Sequence, residues 1–194
     1  KAVSSADGSL VEVNMAGAII GESGPALVEA VKKSPSLEFI TIGKGLRLSL
    51  KETYASDVFD ASNQNIESGG VALIAWWLTT SVSTSIASLS LKGNLPCGRI
   101  SKDNDGRAPW LPGKELEGWT ALCAGLATSK TITHLDVSDC LLDSEPVALL
   151  ADAIKLTASI KVVNLSGSGL TGATKTGGWN GRKYTVWEKV DSDM

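Results

Sequence analysis

The sequence predicts an α/β solenoid, with short parallel strands along one side of the molecule and helices along the other. Three observations predict it. Six stretches can be laid over one spacing, apolar-x-x-apolar-x-apolar-x-x-(Asn/Cys/Ser)-x-apolar, and two fit with little strain. These are Ile132, Leu135, Val137, Cys140, Leu142 and Ile160, Val163, Leu165, Ser168, Leu170. Their first positions lie 28 residues apart, a period typical of repeat architectures. Between the copies run windows of helical periodicity, so each unit reads strand, turn, helix, turn. One such unit cannot bury its own apolar face without a neighbour.

Taken in order, the first copy is Leu10, Val13, Met15, Ala18 and Ile20. A helix follows over Glu22–Ser34, with Leu27, Ala30 and Val31 on its apolar stripe and Pro25 in the first turn, where an amide is not needed. The next copies begin at Leu37 and Ser56, only 19 residues apart. That interval has no room for a helix, so 43–53 is expected to run extended. Asp57–Ile66 reads as a strand followed by an asparagine turn, and a helix follows over Gly70–Thr80 with Val71, Ile74, Trp77 and Leu78 inward. From the copy at Ile86 to that at Ile132 there are 46 residues, 18 more than the 28-residue period. The turn-forming stretch Pro96–Gly113 supplies the excess and reads as a surface insertion. Helices are then expected over Glu115–Thr128, with Leu116, Trp119, Leu122, Cys123 and Leu126 inward, and over Ser144–Thr157, with Val147, Leu150, Ala151 and Ile154 inward. Ser144 suits an N-cap and Pro146 a first turn. Beyond Leu170, Gly- and Thr-rich residues lead into an alternating stretch around Tyr184, Val186 and Val190, expected as a hairpin over the open end of the array. The expected organisation is a solenoid over 1–170, interrupted near 96–113, and a C-terminal cap or hairpin extension over 171–194.

The phrases Leu135-Asp-Val137-Ser, Val147-Ala-Leu-Leu-Ala-Asp-Ala-Ile154 and Val163-Asn-Leu165-Ser-Gly resemble leucine-rich-repeat proteins of the ribonuclease-inhibitor subtype. With its insertion the chain is similar to tandem repeat proteins of unicellular eukaryotes, algae among them. The resemblance covers about 9–170 and is closest over 115–170. It implies a horseshoe, with parallel strands on the concave face and helices on the convex face, that binds protein through the concave face or the loops. It departs at Pro96, which takes a final apolar position, and at Ser56 and Ala61, where such proteins carry larger residues.

Composition narrows the function. The 194 residues carry a net charge of −3 and no run of four basic residues, so no nucleic-acid partner is expected. The longest uninterrupted apolar stretch, Val71–Leu78, is far short of the roughly 20 residues that span a bilayer. The chain begins at Lys1 with no apparent signal peptide, and a soluble, intracellular protein, cytoplasmic or organellar, is expected. Cys97, Cys123 and Cys140 are widely spaced and form no metal set with the single His134. Cys140 stands where the template turns a polar group into the backbone of the next turn, so it is expected as a structural thiol. Free thiols fit a reducing compartment.

Strand residues between the apolar positions face away from the core. One column holds Asn14, Thr41, Asp60, Ser90, Asp136 and Asn164; the next holds Ala16, Gly43, Ser62, Lys92, Ser138 and Ser166. Candidate partner contacts are Asn14, Asp60, Ser90, His134, Asp136 and Asn164, a small, polar and mildly acidic lining. Trp76 joins them, expected with Leu73 off the core stripe of its helix, as do Trp110 in the insertion and Trp179 and Trp187 in the tail. Trp77 and Trp119 are expected in the core. His134, Asp136 and Ser138 share a face, but same-face neighbours on a strand lie roughly 6–7 Å apart, too far for a nucleophile–base hydrogen bond. Asp103-Asn-Asp105-Gly106 resembles the start of a calcium loop without the Glu that completes one. The expectation is therefore a non-catalytic adaptor or scaffold with a protein partner and no cofactor or metal. The alternative is a structural subunit embedded permanently in a large complex, organellar or photosynthetic assemblies included.

Overall fold

The computed structural model describes residues 3–4, 10–100, 111–168, 175–179 and 182–186. In chain order the elements are β1 (Val3–Ser4), β2 (Leu10–Asn14), α1 (Gly24–Lys32), β3 (Phe39–Ile42), β4 (Leu46–Ser49), β5 (Val58–Asp60), α2 (Ser68–Trp77), β6 (Ser88–Ser90), β7 (Arg99–Ile100), β8 (Leu111–Pro112), α3 (Glu117–Thr128), β9 (His134–Asp136), α4 (Ser144–Leu156), β10 (Val162–Asn164), β11 (Lys175–Trp179) and β12 (Arg182–Val186). The protein is a mixed α/β structure with parallel strands and crossover helices.

Its main sheet has four parallel strands in the order β10-β9-β6-β5. Each strand has three residues, and the ladder pairs like with like: Val58–Ser88–His134–Val162, Phe59–Leu89–Leu135–Val163, and Asp60–Ser90–Asp136–Asn164. Alternation along a strand sends the middle row into the core and the two outer rows to the other face. Phe59, Leu89 and Leu135 are accordingly buried. Ladder bonds run on into the turns, where Ala61 N–H donates to the Ser90 carbonyl and Leu91 N–H to that of Asp136. Asn63 and Asn65 take φ of 55° and 57°, left-handed positions that asparagine tolerates better than most residues and that form the expected asparagine turn.

The parallel ladder is not continuous through the molecule. A second sheet, β1-β2-β3-β4, holds the parallel pair β2 and β3, with β1 and β4 antiparallel at its edges. The short 19-residue interval is the cause. The chain turns back at Gly43 and Gly45, whose φ values of +57° and +124° suit glycine, and β4 runs extended against β3 in place of a helix. With β2 on one edge and β4 on the other, β3 has no edge left for β5. The Trp77 indole donates to the Ser49 carbonyl at 2.7 Å. Tyr54, Phe59 and Trp77 pack with ring centroids 4.9–5.7 Å apart.

Helices α1 to α4 pack each on the next. Glycines bring them close: a Cβ on Gly24 would lie 2.5 Å from Gly69 Cα, and one on Gly118 would overlap the Ser68 carbonyl oxygen. Helix α2 has a neighbour on either side and is buried nearly all round. This corrects the expectation for Trp76 and Leu73: Leu73 is 0% exposed and Trp76 is half-buried against the core. Trp77 and Trp119 lie in the core as expected, and the Trp119 indole donates to the Pro146 carbonyl at 2.8 Å.

Strands β7 and β8 pair antiparallel at the root of the insertion, and Gly113 N–H to Gly98 C=O and Glu115 N–H to Cys97 C=O draw its ends together. Pro96 is buried in its apolar slot. Trp110 and the Asp103–Gly106 stretch lie outside the described residues, as does Trp187. Strands β11 and β12 form the hairpin expected after Leu170, and Trp179 falls on β11. No helix among the described residues is long and apolar enough to cross a membrane.

Candidate functional site

The sheet face turned away from the helices carries most of the sequence-predicted contacts, and the ladder register shows why those residue types stand there. In a parallel strand alternate amides point off the ladder. The Met15 and Gly17 amides donate to the next strand, whereas the Ala16 amide between them donates to Asn14 Oδ1 at 2.9 Å. Asp60 Oδ1 serves the Ser62 amide at 2.8 Å, Asp136 Oδ1 the Ser138 amide at 2.9 Å, and Asn164 Oδ1 the Ser166 amide at 3.1 Å. Thus four of the predicted contact residues each satisfy a backbone donor two positions on. Ser90 occupies the same column and is half-buried.

Burial alone would raise the Asp136 carboxyl. Hydrogen bonds from Ser138 and Asn164 and the nearby Lys92 charge outweigh it and hold the group below its ordinary value, so it is ionised at neutral pH. His134 is exposed, and its Nδ1 lies 2.8 Å from Thr133 Oγ1. Ser138 is fully buried, and Asp136 Oδ1 is committed to a backbone amide. His134, Asp136 and Ser138 therefore share a strand without forming a nucleophile–base set.

The adjacent outward column holds an apolar signal that sequence reasoning missed. Val58 is 47% exposed and Val162 49% exposed, at the two ends of the row Val58–Ser88–His134–Val162. Both stand two residues before the Asp/Asn column, so the period-2 alternation already placed them outward. Elsewhere on this face charges pair: Lys92 with Asp139 at 3.8 Å, and Arg47 with Glu12 at 3.2 Å while stacking over the Phe39 ring at 3.6 Å.

The thiols are buried and inert. Loss of solvent pushes Cys123 up to about 12 and Cys140 up to about 11, and raises Cys97 further. Cys140 Sγ donates to the Leu91 carbonyl at 3.2 Å, which belongs to the preceding unit rather than the next one expected. Asn94, at the same template position, is 0% exposed and does more. Its Oδ1 accepts from the Ile66 amide at 2.9 Å, and its Nδ2 donates to the carbonyls of Ala61 at 2.7 Å and Leu91 at 2.8 Å. Among the described residues no group of three His, Cys, Asp or Glu side chains could hold a metal ion.

On the helix side, Pro25, Val28, Ala72, Trp76, Ala121 and Gly125 line a shallow groove of about 540 Å³ across α1, α2 and α3. Trp76 thus lies in the groove, the predicted strand residues lie on the sheets, and Trp179 lies apart on β11. In comparisons with known proteins, no family model matches the chain and no characterised protein matches it.

Proposed function

We propose that this chain is a leucine-rich-repeat solenoid acting as a non-catalytic protein-binding module, with the sheet face as its concave contact surface and the C-terminal hairpin as a cap. The observation that carries the reading is the registered outward face, where Val58, Val162, His134, Asp60 and Asp136 stand on strands fixed by a shared ladder. Support for the repeat comes from Asn94 and Cys140, which bond back to the preceding unit from one template position. A rigid array presents side chains already ordered, so binding loses little conformational entropy. The alternative, a subunit built permanently into a large complex, draws on the exposed Leu156, 76% accessible on α4.

Light scattering on the isolated chain, paired with affinity recovery from its native extract, tests both. A stable 20.2 kDa monomer with substoichiometric, salt-sensitive partners is the expected result. Aggregation of the isolated chain, with stoichiometric recovery inside one large complex, would replace the adaptor with the embedded subunit.

A further inference from the structure

The Asp/Asn column separates what the fold needs from what it does not. Asn14 and Asn164 meet the amide two residues on with the same Oδ1 geometry as Asp60 and Asp136. A neutral amide therefore suffices for the cap, and meeting that backbone amide does not require the negative charge at 60 and 136. Among the described residues neither carboxylate is held in an ion pair, although the Lys92 charge lies near enough to favour ionised Asp136. Lys92 pairs with Asp139 at 3.8 Å, and among the described residues neither Asp60 nor Asp136 has a cationic partner within 4.0 Å.

We infer that this face docks an extended, basic segment of a protein partner, whose Lys or Arg side chains meet Asp60 and Asp136 while its apolar side chains cover Val58 and Val162. The inference rests on the protein-binding reading above and supplies the chemistry of the partner. The ladder places Asp60, Ser90 and Asp136 side by side, so the two carboxylates stand two strand spacings, about 10 Å, apart. That distance is spanned by about three residues of extended chain running across the strands. Val58 and Val162 lie three spacings apart in the neighbouring column, about 14 Å, and give the same segment apolar contacts at its two ends. Like-charged segments are repelled from this face, and neutral ones leave both carboxylates without an ion-pair partner.

The test pans a library of random 12-residue peptides against the wild-type chain and against the double variant Asp60→Asn/Asp136→Asn, which keeps both caps. Peptides with two or more Lys or Arg should be enriched on the wild type. A synthetic copy of the leading one should bind the double variant about tenfold more weakly. Its wild-type affinity should also fall between low and high salt, a readout that needs no variant to fold. The double variant should melt within a few degrees of wild type, and a collapse of its stability would overturn the premise that a neutral amide suffices at both positions. Enrichment of neutral or acidic peptides, or equal binding to both proteins, would overturn the basic-segment assignment. If Val58→Ser/Val162→Ser weakens those same peptides, protein binding at this face survives. No enrichment at all would overturn both.

Discussion

Asn94 does what no exposed residue does among the described residues. It is fully buried and joins two successive units through three backbone groups, Ile66 N–H, Ala61 C=O and Leu91 C=O. Replacing it by alanine strands those groups away from water, so Asn94→Ala should cost about 3 kcal/mol in urea denaturation. Glu115 presents the opposite case. Burial raises its carboxyl, and the like charges of Glu67, Glu22 and Glu117 raise it further. Its ionised form is thus less favourable in the folded chain than in the unfolded one. This penalty is present at neutral pH and is relieved as the pH falls through the raised folded value toward the ordinary one. Glu115→Gln should raise the melting temperature at pH 7 by roughly 1–3 °C and lose that advantage near pH 4. Asp136 has the reverse sign, because its held-down carboxyl stabilises the fold above the ordinary carboxylate range and loses that contribution only at lower pH. The template spacing pointed to the Asn94 slot. Its three bonds could be counted only once Ala61 and Ile66 lay beside it. Glu115 was not legible, because its acidic neighbours come from three separate stretches of chain.

Among the elements, the four helices match the periodic windows closely, since their apolar stripes are long and their ends carry Pro25 and Pro146. Two features escaped that reading. The 19-residue interval announced a missing helix, but not that β4 would turn back onto β3 and divide the sheet. The helical stripe of Val71, Ile74, Trp77 and Leu78 leaves Trp76 and Leu73 off the core side. Yet Val71-Ala-Leu-Ile-Ala-Trp-Trp77 is apolar on every side, the mark of a helix enclosed by others. Enclosure depends on close approach at Gly118, where any side chain meets the Ser68 carbonyl. Gly118→Ala should therefore destabilise the chain by about 2–3 kcal/mol despite its better helix propensity, as read by the denaturation midpoint. An unchanged or raised midpoint would mean that α2 and α3 do not pack this closely.

For the whole molecule, stability should grade along the main sheet. Strands β6 and β9 are paired on both edges, whereas β10 pairs with β9 alone among the described residues. The last unit is also thinner: Ile160, Val163 and Leu165 are half-buried where Ile132, Leu135 and Val137 are buried. Native-state hydrogen exchange should find the β10 amides opening first and those of β6 and β9 last, because fewer contacts resist local opening at the edge of the sheet. Uniform protection across the four strands would show instead that β10 is covered as fully as its neighbours.

By itself the sequence determined the alternation of short strands and helices, their order and most of their limits. Hydrophobic period and turn residues are local signals, read without knowing what lies opposite. It also determined the outward columns, since a strand's period of two leaves no choice of face once the apolar positions are known. Only the tertiary structure decided that the strands divide into two sheets, that α2 is enclosed, and that Asp60 and Asp136 share a cap with Asn14 and Asn164. Each of these depends on which distant segment is the neighbour: an edge already taken by β4, a helix on either flank, a ladder that lines up residues far apart in the chain. Spacing along the chain sets which way a side chain faces, and packing sets what it meets there.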